Sequence, residues 1–328
     1  MQRLSYAEFR SRDTEVAAAS ARTPGISSFC SGPVWLQAAR EVFGEEIPEE
    51  RLLIVEEDGE WVILADRSDD GVYLPFEFYW LFANPLLGDP SRAWRLLTRV
   101  ARTHLSAGNV ICLGGVRRDG ALHQIVSRST MLEDSTLRFI REFPSTDCMG
   151  IDLREGFDAW LARRSRKFQK SLRQTHRPDD IVIEDARGHD PAALFERIIA
   201  IQRDTAKWAG GDDIFQMEPY PRFYQTIMER LSQRRELRVL FARRENEDLG
   251  YIFGGILGTV YRGLQMSYRE SARRWAIGNF LQIENLKSCS VEGIQTYDFG
   301  MPAEYKLRWA DRTDEYVALV LGRAKDTL

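Results

Sequence analysis

One order of elements occurs twice along this chain, and it limits the fold more than any other feature. In the first half, the apolar runs 51–56 (RLLIVE) and 61–66 (WVILAD) flank Asp58-Gly59, a dipeptide suited to a tight hairpin. A strand at Val72–Pro75, a Pro/Gly loop, a helix at about Ser91–Leu105, Gly108 and a strand ending in Gly114 follow. In the second half, the runs 237–242 and 251–257 flank a longer turn from Asn246 to Gly250. Then come a strand at Leu264–Arg269, a loop, a helix at about Trp275–Val291, Gly293 and a strand ending in Gly300. Arg51 and Arg238 are 187 positions apart, and Gly114 and Gly300 are 186 apart, by subtraction of their numbers. So constant an offset predicts a duplicated hairpin–strand–helix–strand unit.

Strands alternating with helices predict an α/β fold, each copy a mixed central sheet flanked by helices. The chain has 328 residues, enough for two domains at roughly 150 residues each. The polar stretch Pro144–Gly150 places the boundary, giving domains 1–148 and 149–328. The second copy opens with helices at about 156–173, 191–207 and 221–232; Pro191 suits a first helical position. Residues 1–32 read as a lead-in helix and loop.

Composition excludes several classes. The net charge of −4 argues against a general nucleic-acid binder, although a local basic patch remains compatible with it. No run approaches the ~18 apolar residues needed to span a membrane, and charges at Arg3, Glu8, Arg10 and Arg12 do not suit a signal peptide. The cytoplasm is the expected location. Cys30, Cys112, Cys148 and Cys289 have no CxxC spacing and read as buried thiols of a reducing compartment. His104, His123, His176 and His189 show no pairing, so no metal is expected. Walker, GxGxxG and GxSxG patterns are absent.

Three constellations are candidates for chemistry. The first is Tyr297-Asp298-Phe299-Gly300 followed by Tyr305-Lys306-Leu307-Arg308-Trp309, a strand end with a cationic and aromatic cluster beyond it. Ligands of open α/β sheets bind beyond strand C-termini. An extended 305–308 would put Lys306 and Arg308 on one side; the bland reading is that they neutralise Asp298 or Glu284. The second is the helix at 157–173, where Phe157, Leu161, Phe168 and Leu172 share an arc with Arg164. Arg164 there needs a partner, either in a structural ion pair or in a pocket. Arg163, Arg166, Lys170 and Arg173 point outward, as a solvated face or a phosphate-binding one. The third is the helix at 275–291, where Glu284 lies among Ile277, Phe280, Leu281 and Val291. A carboxylate on that stripe is either paired or poised as a base. Gly278, behind Arg273 and Arg274, would let helix-start amides approach an anion.

These residues give the second half a resemblance to the GNAT superfamily of N-acyltransferases, in a CelD-like branch similar to the Fem-type aminoacyl transferases of peptidoglycan synthesis. The resemblance runs from Phe157 onward. It is carried by RSRKFQKSLRQ at 164–174, the Trp208 region, the hairpin 237–257, RRWAIGNFLQIENL at 273–286 and, most specifically, YDFGMPAEYKLRWADRT at 297–313. The first half has no motif of its own, but its order of elements suits a degenerate copy of the same fold. The resemblance implies a donor thioester in a V-shaped gap between parallel strands 264–269 and 295–299, polarised by a backbone N–H of the first strand. It implies donor contacts from Ser267, Tyr268, Arg273, Ala276, Gly278 and Asn279. Catalytic candidates are Asp298, Glu284, Lys306 and Tyr305, and acceptor or anion contacts fall to Arg308, Trp208, Arg164 and Lys167. The family's pyrophosphate loop, Arg/Gln-x-x-Gly-x-Gly/Ala, is matched by Arg273-x-x-Ala276-x-Gly278, with alanine in place of the middle glycine.

The expected donor is therefore acyl-CoA or acetyl-CoA, and the acceptor an amine on a small molecule, glycan or peptide. Aminoacyl-tRNA is the alternative donor, and an inactive GNAT fold serving as a binding protein is the third reading.

Overall fold

A computed structural model describes residues 1–131, 136–174 and 178–324, so His176 lies outside the described residues. The chain divides into two compact units, Met1–Asp147 with Asp314–Leu328, and Cys148–Thr313.

The first unit begins with β1 (Gln2–Arg3), α1 (Tyr6–Ser11), α2 (Asp13–Arg22) and α3 (Pro33–Val42). β2 (Leu52–Glu57) and β3 (Glu60–Asp66) form the expected hairpin. Asp58 at φ 50° and Gly59 at φ 85° both adopt the left-handed region that a two-residue turn demands. β4 (Val72–Leu74), β5 (Leu86–Leu87), α4 (Pro90–His104), β6 (Val110–Arg117), α5 (Ala121–Ser129) and β7 (Leu137–Pro144) follow. The Asp89 carboxylate caps α4 by accepting the Arg92 N–H at 2.9 Å, and Pro90 starts the helix. Trp94, Leu97, Val100 and Ala101 of α4 share one buried core with Val62 and Leu64 of β3 and Ile111 and Leu113 of β6. Burying each large apolar side chain contributes roughly 1.5–3 kcal/mol.

The second unit holds β8 (Cys148–Asp152), α6 (Gly156–Ala162), α7 (Arg166–Gln174), β9 (Ile181–Asp185), α8 (Pro191–Gln202), α9 (Ala206–Gly210) and α10 (Tyr220–Gln233). Then come β10 (Leu237–Arg244), β11 (Glu247–Leu257), β12 (Val260–Tyr268), α11 (Ile277–Val291), β13 (Thr296–Gly300) and β14 (Arg312–Asp314); the last strand of the chain is β15 (Tyr316–Arg323). The repeated order is present in both sheets: an antiparallel hairpin, a third strand, a helix, and a strand parallel to the third.

Four local expectations change. The turn of the second hairpin lies at Glu245-Asn246 rather than 246–250, because β11 pairs from Glu247 onward. The single helix expected over 157–173 is two helices. Ser165 breaks it, accepting the Phe168 N–H on its hydroxyl at 3.3 Å and the Gln169 N–H on its carbonyl at 3.0 Å. Residues 304–308 form a 3-10 turn, not an extended segment.

The fourth concerns the end of the chain, which the sequence assigns with everything after 148 to the second domain. In the structure β15 lies in the first sheet, whose order is β1-β2-β3-β4-β6-β15-β7, while the second runs β14-β8-β13-β12-β11-β10-β9. β7 and β8 follow each other in sequence yet belong to different sheets, and so do β14 and β15. The two copies thus exchange strands reciprocally. β6 takes β15 on the edge where β13 takes β8, both antiparallel. An apolar run such as 316–321 marks a strand but carries no label for the sheet it completes.

Candidate functional site

In the second sheet, β12 and β13 run parallel and pair at only three positions: Val260 with Thr296, Tyr261 with Tyr297 and Arg262 with Asp298. Beyond Arg262, β12 continues to Tyr268 without β13. The register of β12 on β11 shifts between Phe253 and Gly254, which leaves Leu264 as an extra residue. A bulge of this kind bends its strand and increases the twist, and here it turns β12 away from β13. The result is a gap between two parallel strands that opens from the Arg262–Asp298 level.

Backbone groups face this gap. The Arg269 N–H donates to the Leu249 carbonyl at 2.8 Å. Alternate residues of an antiparallel strand turn their N–H groups to opposite edges. The N–H of Tyr268 therefore points away from β11, to the edge that β13 has left, and Ser267 is turned toward β11.

α11 starts beside the same stretch of β12. Its first backbone bonds run from Asn279 and Phe280 to the Ala276 carbonyl, so the amides of Ile277 and Gly278 precede the hydrogen-bonded turns. A Cβ on Gly278 would stand 3.5 Å from the Tyr268 ring and 3.7 Å from the Met266 methyl. Ala276, where the loop pattern has glycine, sits at φ 51° in the left-handed region. Free amides at the positive end of a helix can take up an anion such as a phosphate. Arg273 is exposed beside them and pairs with Glu270 at 3.1 Å, a surface pair of small worth.

The turn beyond β13 is held from two sides. Asp298 accepts from Arg262 at 2.7 Å with one oxygen and from the Gly300 N–H at 2.7 Å with the other. The Lys306 ammonium donates to the carbonyls of Phe299 at 2.9 Å and Met301 at 2.6 Å, and lies 5.8 Å from the centre of the Tyr305 ring. Burial and the Arg262 charge pull its pKa down to about 8. Arg308 is exposed on the same turn.

Other expected residues lie nearby in the fold or apart from it. Arg164 donates to the Ala310 carbonyl at 2.7 Å and lies 3.9 Å from Asp311, so its partner is the segment after the 3-10 turn. Trp160 stacks on Trp309 and Phe168 meets it edge-on. Lys167 is exposed on α7, and Trp208 is half-buried on α9, whose cap is Thr205. Asn279 is half-buried in the first turn of α11.

Glu284 differs from expectation. It is half-exposed and paired with Lys287 at 3.2 Å, not held on the buried stripe. The buried face of α11 is Ile277, Leu281, Gln282, Asn285, Leu286 and Cys289. The helix is rotated because Gln282 and Asn285 donate to the Tyr297 hydroxyl at 2.7 and 2.6 Å, and Arg238 donates to Asn285 at 2.6 Å. Val291, counted as apolar face, is 88% exposed.

Sequence reasoning also passed over Arg262. A charge inside an apolar strand, with Asp298 likewise placed in the neighbouring strand, was the signal available. Among the described residues, no three His, Cys, Asp or Glu side chains come together as a metal site. No described helix is long and apolar enough to cross a membrane.

Residues 161–307 match the sequence profile of the acetyltransferase (GNAT) domain. This segment is similar to the GNAT family. It contains the gap, the start of α11 and the turn with Lys306. Solved structures extend the likeness to the whole chain. FemX superposes with a TM-score of 0.66 at 10% identity, covering 99% of this chain and 98% of that one. A conserved protein from Bacteroides thetaiotaomicron gives 0.60 at 11% identity, covering 94% and 97%. L-PGS from Bacillus licheniformis gives 0.52 at 10%, covering 93% and 90%. At such identities the likeness is one of fold. No curated protein sequence matches the chain.

Proposed function

We propose that the second unit is an N-acyltransferase that takes its acyl group from a thioester donor, acyl-CoA or acetyl-CoA, and passes it to an amine by direct attack. The observation that carries this reading is the parting of β12 and β13 after three paired residues, with the free amides of α11 beside it. The donor phosphates would take the Ile277 and Gly278 amides, flanked by Ala276, Asn279 and Arg273. The thioester would lie in the gap along Ser267 and Tyr268, its carbonyl oxygen accepting the Tyr268 N–H. The acceptor amine attacks the carbonyl carbon, a C–N bond forms, the C–S bond breaks, and the departing sulfur takes up a proton as the amine gives one to solvent. A donor aimed at the developing oxyanion is worth more than in water because it is preorganised.

Lys306 supports the same reading. Two of its three N–H groups hold carbonyls, which leaves one for an oxyanion or an acidic group of the ligand. Arg308 beside it suits a carboxylate or phosphate, and Tyr305 and Trp208 offer aromatic faces to an acceptor. Asp298 and Glu284 were the expected bases, but each is already paired, so neither is assigned the amine's proton here. The first unit serves as a structural or acceptor-binding copy, and the expected site of action is the cytoplasm.

The test is release of thiol from acyl-CoA donors against a panel of amines. Lys306→Ala and Arg308→Ala should keep the melting temperature within a few degrees and lose about a hundredfold in kcat. Early melting with kcat per folded molecule retained would make the cluster structural.

A second reading is favoured by α7, which exposes Arg166, Lys167, Lys170 and Arg173 on an otherwise acidic chain, and by alanine at 276 in the phosphate loop. On that reading the donor is an aminoacyl-tRNA, as the Fem-type resemblance allows. Fluorescence anisotropy with tRNA over a salt series tests it, since phosphate contacts make affinity fall steeply with salt. Absence of binding at low salt removes it. Background turnover with both donors would leave a fold that binds without catalysing.

A further inference from the structure

Arg262 and Asp298 occupy the last level at which β12 and β13 still pair. Arg262 is 3% exposed and Asp298 8%, so two charges have been taken out of water at the apex of the gap. Burying an ion pair strips water from both ions and is seldom the most stable choice for a core. A pair of apolar side chains would close the same strands as well. The pair also reaches beyond the strands. The second Asp298 oxygen fixes the Gly300 N–H, and a Cβ on Gly300 would lie 3.0 Å from the Arg262 guanidinium. The turn that starts there presents the Phe299 and Met301 carbonyls that hold Lys306. Hydrogen bonds at both ends of the Phe299–Met301 backbone therefore connect the apex to the ammonium.

We propose that Arg262 and Asp298 are positioning residues for the reaction: their ion pair pins the apex of the gap and holds the Lys306 ammonium at its mouth. The proposal rests on the reading of Lys306 as a group that meets the ligand. Neither member of the pair touches the reacting atoms. Four groups from four elements act on Lys306: Arg262 of β12 and Lys207 of α9 oppose its charge, and Asp298 of β13 and Cys148 of β8 favour it. Arg262 also donates to the Cys148 sulfur at 3.5 Å. The pair thus sets both where the ammonium stands and how firmly it keeps its proton, and its two members pull in opposite directions.

That opposition gives the experiment. In the full chain, Lys306 is titrated by the pH dependence of its acylation with acetic anhydride, read at Lys306 by peptide mass spectrometry. The parent should titrate near 8. Asp298→Asn should move the titration down by roughly one pH unit and Arg262→Gln up by roughly one. Arg262→Lys keeps a cation in place and should stay closer to the parent than either. A pair with only a structural role would loosen the corner in both variants and move both toward the ordinary lysine range. Two shifts of the same sign, or none, overturn the proposal. Should the single variants fail to fold, Arg262→Met with Asp298→Leu removes both charges without leaving one buried alone. It should fall between the two expected single-variant values, and a titration outside them overturns the proposal. In thiol release, the pH limb of kcat should follow each labelling titration, with the donor KM changing less than kcat. If Lys306→Ala keeps full kcat while the labelling shifts remain opposite, the catalytic role of Lys306 fails and the pinning of the ammonium stands.

Discussion

The two copies meet the same problem at the same place and solve it differently. In each, a third strand and the strand after the helix run parallel for two or three residues: β4 with β6 at Val72–Val110 and Tyr73–Ile111, β12 with β13 at three positions. In the second copy β12 then bends away and leaves its edge open. In the first, β4 stops at Leu74 and the chain at 75–85 packs against the edge that β6 would offer. Asn84 donates to the Gly114 carbonyl at 3.0 Å. A Cβ on Gly115 would stand 2.2 Å from the Phe82 carbonyl oxygen. Glu77, fully buried, accepts from the N–H groups of Trp80 at 2.6 Å, Phe82 at 2.8 Å, Leu81 at 3.3 Å and Ala83 at 3.4 Å. The lesson is that a duplicated framework keeps its core while a few residues after one strand decide whether its gap is open or filled.

The comparison breaks most visibly at the filled gap. Gly115 sits at φ 55° with no room for a side chain, so Gly115→Ala should cost roughly 3 kcal/mol or more in denaturant unfolding. Gly278→Ala, with ordinary contact distances around its Cβ, should leave stability unchanged or slightly higher. Equal losses at the two sites would remove the distinction between filled and open.

Glu77 comes next. Glu77→Ala would strand several buried N–H groups and should cost about 2–3 kcal/mol, with Glu77→Gln costing less. Burial raises its pKa against the pull of those N–H bonds. A folded pKa above the unfolded one means stability that is complete below the unfolded value and is lost as pH rises through the folded value. Thermal melts from the acidic side toward neutrality should therefore show a slope in the parent that flattens in Glu77→Gln. A slope of the opposite sign would count against a raised carboxyl.

In the open copy, calorimetry with acyl-CoA should give one site per chain, and Gly278→Val should raise its Kd about tenfold, about 1.4 kcal/mol. Two equivalent sites would mean that the first gap also takes donor. Smallest is Ala276→Gly, which exchanges left-handed strain for glycine's entropy and should gain about 0.5–1 kcal/mol without changing donor stoichiometry. A loss of stability would show that the alanine methyl makes contacts worth more than its strain.

Much of the scaffold was legible because its signals are local. Asp58-Gly59, the capped start at Asp89-Pro90 and the alternation of 237–257 each act within a few residues. The candidate site was legible in part. Gly278 and Lys306 stood out as a glycine at a helix start and a cation past a strand end. Glu284 was misplaced because a helical wheel counts Phe280 and Val291 as core and Gln282 and Asn285 as surface. The Tyr297 hydroxyl reverses that by satisfying two buried amides. Arg164 was rightly marked as needing a partner, but the partner stood about 146 residues away along the chain.

By itself the sequence determined the order of elements and the existence of two copies, since periodicity, turn chemistry and capping are properties of short segments. The tertiary structure alone decided which sheet β8 and β15 complete, which gap is filled, and which charge faces Asp298. Those outcomes depend on edges, volumes and buried partners that come together only when distant segments pack, and no short segment of the chain contains both sides of such a contact.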